Sequence, residues 1–128
     1  AIKDYSKTIE LNPKYAEAYS GRGGVKNLLG DNPGAIKDFS KAIELNPKDA
    51  KAYCFRGAAK HDLGDNIGII KDCNKAIELN SKYAEAYFHR GTAKYSLGDK
   101  TGALEDLSKA GELGYEEAYE EIREIQGK

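Results

Sequence analysis

The sequence predicts an all-α chain, an open stack of antiparallel helix pairs, and three observations carry that expectation. First, a set of residues returns every 34 positions: Tyr19 as Tyr53 and Tyr87, Gly23 as Gly57 and Gly91, Ala42 as Ala76 and Ala110. A fixed period of this size marks one supersecondary unit stacked on its neighbours. Second, apolar residues within each half unit fall three and four apart, as in Ile36, Phe39, Ala42 and Ile43, which is the spacing of an amphipathic helix. Third, the halves are joined by a turn around Gly30, Asp31 and Asn32, too short for anything but an antiparallel pair.

The elements follow in order. Residues 1–13 nearly duplicate residues 35–47, so the chain opens with the second helix of a truncated unit, with Ile2, Tyr5 and Ile9 as its apolar stripe. Asn12-Pro13 ends that helix, because proline cannot continue the hydrogen-bond ladder and disfavours helix in the residue before it. Three full units are expected at 16–49, 50–83 and 84–117. In the first, one helix runs from about Tyr15 to Leu29, Gly30 takes the left-handed terminal position, and a second helix runs from Pro33 to Leu45. The later pairs are expected near 49–63 and 67–79, then 83–97 and 101–113. A last helix within 115–126 carries Ala118, Ile122 and Ile125 on one face and Glu117, Glu120, Glu121 and Glu124 on the other. Such one-sided polarity suits a cap on an open stack. Gly111 and Gly114 are expected to loosen the preceding helix, and Lys128 is read as a frayed end. The whole of 1–128 forms one domain, and the chain, which starts in mid-pattern and contains no Met, reads as a fragment of a longer protein.

Composition narrows the function classes. Charged residues are 32% and the hydrophobic set 40% of the 128 residues, a globular balance. With 20 basic and 21 acidic residues the net charge is -1, so there is no cationic excess to hold nucleic acid or an anionic membrane. No run is long enough to insert into a membrane. Cys54 and Cys73 occupy unrelated phases of one unit, which is no disulfide framework. Two free thiols in a reducing compartment, with the cytoplasm favoured, is the plain reading beside a staple or a reactive thiol.

These residues resemble the tetratricopeptide repeat family. Counting Ala16, Ala50 and Ala84 as position one, an aromatic stands at position four (Tyr19, Tyr53, Tyr87), Gly at eight, and Ala at twenty in Ala35 and Ala103. An aromatic follows at twenty-four in Phe39, Ala at twenty-seven, and Pro closes the unit in Pro13 and Pro47. The second unit departs, with Ile69 and Cys73 exchanging small and large, and Ser81 replacing the proline. The Arg56–Lys60 and Arg90–Lys94 segments look like bacterial members. The resemblance implies a right-handed α-solenoid whose first helices line a concave groove. Carried over by position, the groove holds Ser20, Gly24, Asn27, Lys51, Cys54, Phe55, His61, Phe88, His89, Thr92 and Tyr95, beside Glu17, Gly21, Leu28, Ala58, Asp62, Glu85 and Ser96. These vary between units while the frame does not.

Two rows of charge recur: Arg22, Arg56 and Arg90 at position seven, and Asp4, Asp38, Asp72 and Asp106 on the second helices. They are expected to pair between packed helices and fix register, the other reading being an arginine row that grips a ligand carboxylate. Phe55 and Phe88 read either as anchors for a peptide or as fillers between neighbouring first helices. The family's clamp for carboxylate-ended chaperone tails is not matched, since Lys51 alone is suitably charged. His61 and His89 lack the local spacing of a metal motif. No nucleophile with a base and an orienting acid is recognisable, and the glycines Gly21, Gly23 and Gly24 lie inside a helix pattern and form no phosphate cradle. The expected function is therefore non-catalytic, cofactor-free binding of a peptide or protein segment in the groove. The alternative is self-assembly into a homodimer or longer array through the terminal helices.

Overall fold

A computed structural model describes residues 1–127. The expected fraying of Lys128 lies outside them. Among the described residues eight α-helices follow one another: α1 Ile2–Leu11, α2 Ala16–Leu28, α3 Asn32–Leu45, α4 Ala50–Ala59, α5 Asn66–Leu79, α6 Ala84–Ser96, α7 Lys100–Glu112 and α8 Glu117–Gln126. One departure from expectation lies in the second unit, where α4 stops at Ala59 and a 3-10 turn, His61–Leu63, replaces its last turn.

The boundaries have local causes. Gly30, Gly64, Gly98 and Gly114 all have positive φ, between 70° and 106°, so the chain reverses where a side chain would be strained. After the first three of these turns an aspartate caps the next helix. Asp31, Asp65 and Asp99 accept hydrogen bonds from the backbone N–H of Gly34, Gly68 and Gly102 at 3.0, 2.9 and 2.9 Å. At the end of the second unit Ser81 stands in place of the proline, and its carbonyl accepts a hydrogen bond from the Tyr87 hydroxyl of the third unit at 2.9 Å.

Each helix packs on the next, and α4 also touches α2 before it and α6 after it, so the first helices form a continuous inner row. Close approach within a pair depends on position eight. A Cβ on Gly23 would stand 3.1 Å from the Phe39 ring, and one on Gly91 3.0 Å from Leu107. Small residues at crossings and large ones between units then give one apolar layer per unit. Ala35, Phe39 and Ala59 form the first; Cys54, Ile69, Cys73, Ala76, Ala86 and Ala93 the second; Leu107, Ala110, Ala118 and Ile125 the third. Gly111 corrects the expectation of a loosened helix: it is buried against the Tyr119 ring of α8, and a Cβ there would meet that ring at 2.6 Å. By contrast, α1 contributes no buried residue.

Arginines join the layers. Arg56 donates from Nε and Nη2 to Asp72 of its own unit at 3.0 and 2.7 Å, and from Nη1 to Ser40 of the unit before at 3.1 Å. Arg22 holds Asp38 and Ser6, and Arg90 holds Asp106 and Asn74, in the same geometry. Lys26, Lys60 and Lys94 add a second cation to each buried aspartate at 2.9–3.1 Å. Each guanidinium also lies 5.4–5.7 Å from the ring of the tyrosine at position four. The arginine row is thus engaged inside the stack. Asp4 has no arginine partner among the described residues.

Candidate functional site

The inner row and α8 enclose the principal depression of the concave face, a cavity of about 530 Å³. Asn27 comes from α2, Ala58 from α4, and His61 and Asp62 from the 3-10 turn. Phe88, His89, Thr92, Tyr95 and Ser96 come from α6, and Glu121 and Ile125 from α8. A second depression of about 350 Å³ lies toward the other end, lined by Glu17, Ser20, Asp49, Lys51, Ala52 and Phe55.

Helical phase explains this grouping. Positions six, nine, twelve and thirteen of a first helix share a face and turn it inward together. His89, Thr92, Tyr95 and Ser96 are that face of α6. The Thr92 hydroxyl donates to the His89 carbonyl within its own helix at 3.0 Å. Burial, and to a smaller degree the neighbouring His61, hold the His89 imidazole below the ordinary histidine range, so it is neutral at neutral pH. Asp62 is fixed by two neighbours. Its Oδ2 accepts from Asn32 Nδ2 of the preceding unit at 2.9 Å, and its Oδ1 lies 3.5 Å from His61 Nδ1.

Of the residues expected in the groove, two lie elsewhere or open. Cys54 is fully buried, 0% exposed, in the layer shared with Ile69 and Ala86, and is corrected from groove to core. Position five points between neighbouring first helices, so whatever stands there meets the next unit. Burial pushes the Cys54 thiol up to about 12 and raises that of Cys73 as well, so both are thiols and neither is a reactive thiolate. Gly24 faces open space: a Cβ there would meet nothing within 4 Å. Gly21 of the wider groove set faces α1, where the Tyr5 ring occupies the place of its missing side chain.

Phe88, at the same position five, is half-buried, its ring 4.7 Å from Tyr115 and packed into the third layer, so it both fills a gap and lines the cavity. Phe55 is the more open of the two, 39% exposed, with its ring 6.0 Å from Phe39. Ser20 lines the second depression, and its buried hydroxyl has no hydrogen-bond partner among the described residues. Sequence reasoning missed α8 as a wall. The signal was available, because the face bearing Ile122 and Ile125 has to lie on α6 and α7, which carries Glu121 to the cavity rim.

Among the described residues no group of three or more His, Cys, Asp or Glu side chains could hold a metal ion, and no helix is long and apolar enough to cross a membrane. A tetratricopeptide repeat family model matches residues 50–83 and a second, overlapping repeat model matches residues 25–64. A comparison with curated proteins returns no match. Among solved structures, the chain is similar to the crystal structure of MamA, with TM-score 0.89 and 27% identity over 97% of this chain and 74% of that one. It is similar to the first repeat domain of Spaghetti (RPAP3) bound to the HSP90 peptide SRMEEVD, with TM-score 0.84 and 28% identity over 88% and 90%. The Arabidopsis OM64 domain gives TM-score 0.80 and 29% identity over 85% and 94%. The repeat is matched in two overlapping windows and the right-handed solenoid of antiparallel pairs is shared over most of the chain's length, so residues 25–83 are tetratricopeptide repeats.

Proposed function

We propose that this chain is a protein-interaction module that binds a segment of another protein in the cleft between its first helices and α8, with no reaction of its own. The observation that carries the reading is the concave cavity of about 530 Å³, whose walls combine Phe88, Tyr95 and Ile125 with a polar rim of Asn27, His61 and Ser96. Apolar walls supply anchoring area, and a few placed polar groups supply orientation. A solved neighbour of the same fold is bound to a peptide, which supports the class of ligand.

The test is affinity capture compared between the wild-type chain and an Asn27→Ala/Phe55→Ala/His61→Ala variant. Phe88 is left alone, because its ring packs against Tyr115 and its loss would also loosen the third layer. Partners held by the wild type should be lost from the triple variant by about tenfold or more, with an unchanged circular dichroism spectrum and melting temperature. Equal capture by both proteins overturns the groove reading. A second reading, self-assembly through α1, is favoured by that helix's lack of any buried residue and by Leu11, which is 75% exposed. It predicts a scattering mass that grows with concentration.

A further inference from the structure

The charge of the principal cavity narrows what it can take. Two of its lining residues are carboxylates, Asp62 and Glu121, and none is lysine or arginine. Of the cations near in sequence, Arg56 and Lys60 are committed to Asp72 and Arg90 and Lys94 to Asp106, while Arg123 of α8 lines a separate depression with Glu116, Glu117 and Glu120. His89 is neutral at neutral pH for the reason given above and does not offset the carboxylates. Asp62 is held in place by Asn32 before any ligand arrives, so little ordering is needed there. Glu121 stands on a different element, α8, and so offers its charge from the other wall. The same cavity is lined by the Phe88 and Tyr95 rings and the aliphatic Ile125. Such walls suit a long methylene stem with a cationic head. The second depression is mixed in sign, with Glu17 and Asp49 beside Lys51.

We propose that this end of the groove receives a lysine or arginine side chain of the partner segment, its stem against Phe88 and Ile125 and its head group between Asp62 and Glu121. The partner is then a protein segment with a basic residue among apolar or neutral ones. An acidic segment would set carboxylate against carboxylate, with Lys51 alone to receive it. This deepens the groove reading and rests on it.

Affinity selection with short peptide libraries separates the two. The central position is fixed as Arg, Lys, Glu or norleucine in an otherwise degenerate background. Three proteins are compared: the wild type, an Asp62→Asn/Glu121→Gln variant, and the Asn27→Ala/Phe55→Ala/His61→Ala variant. Asp62→Asn keeps an oxygen for Asn32, so the fold has no reason to change. The wild type should enrich the Arg and Lys libraries over norleucine by about three- to tenfold and deplete Glu. The isosteric pair should bring Arg and norleucine level while still retaining norleucine peptides. Arg and norleucine retained equally by the wild type, but lost from the triple variant, overturns the charge inference and leaves the groove standing. No library retained above background, or equal retention by the triple variant, removes the groove reading and this inference with it.

Discussion

Asp38 is 2% exposed and carries the attention of two cations, Arg22 at 2.8 Å and Lys26 at 3.1 Å. Burial alone would raise its carboxyl pKa; hydrogen bonds from Arg22 and then Lys26 more than offset this and hold it below the usual range. A carboxylate depressed in the folded state contributes stability that is present above its unfolded pKa and lost as pH falls through the folded value. Replacing Asp38→Ala leaves both cations half-buried without their partner and should cost roughly 2–4 kcal/mol at neutral pH, measured by urea unfolding. The gap between wild type and variant should begin to narrow as pH falls below about 4, where the unfolded carboxyl takes up its proton, and should close only at the lower pH at which the depressed folded carboxyl protonates. The pairing of arginine with aspartate was legible because both recur with the same period, sixteen residues apart. The lysine at the end of each first helix was not, since nothing in the spacing tells a solvated lysine from one folded back onto an aspartate. Cys54 was misread for a related reason. Periodicity gives a residue's phase on its helix, but which neighbour covers that phase depends on the following unit.

Among the helices, α8 combines two roles. Its inner face closes the third layer with Ala118 and Ile125, both at most 2% exposed, and its rim brings Glu121 to the cavity. Ile125→Asp would bury an unpaired charge among Leu107, Ala110 and Ala118. The expected cost is roughly 3–5 kcal/mol, seen as a lower denaturant midpoint together with early proteolysis between α7 and α8. An unchanged midpoint would show that α8 is dispensable to the layer. The helix bounds themselves were readable to within a residue or two from Gly, Asp and Pro punctuation. The 3-10 turn at His61 was not, because the two first helices that stay regular carry the same Gly-Asp stop. We have no physical account of that break.

Across the molecule, stability is distributed unevenly along a one-dimensional array. The middle layer is covered on both sides, with Ile69 and Cys73 at most 1% exposed, whereas α1 buries nothing fully. Units of such a stack open from the ends. Native-state hydrogen exchange should therefore be fastest in α1 and slowest in α5, with protection rising from the first unit to the second. Uniform protection throughout would mean that the array opens as one block. The stack was legible as a whole because each unit repeats its frame, and several of the varying first-helix positions line the cavity of about 530 Å³. Its shape was not, because a cavity is made by several helices at once and no single stretch of sequence contains it.

Each arginine reaches sixteen residues back to Ser6, Ser40 or Asn74 and sixteen forward to its aspartate. Under tension along the superhelix, these clamps are links in series, so the load on one is the load on all. The chain then lengthens by releasing its weakest link, with little even stretching of the coil. At the junction of α1 with α2 the clamp is Arg22 on Ser6, and the Tyr5 ring seated against Gly21 shares its load. Releasing one clamp parts two neighbouring units and leaves the others stacked as before.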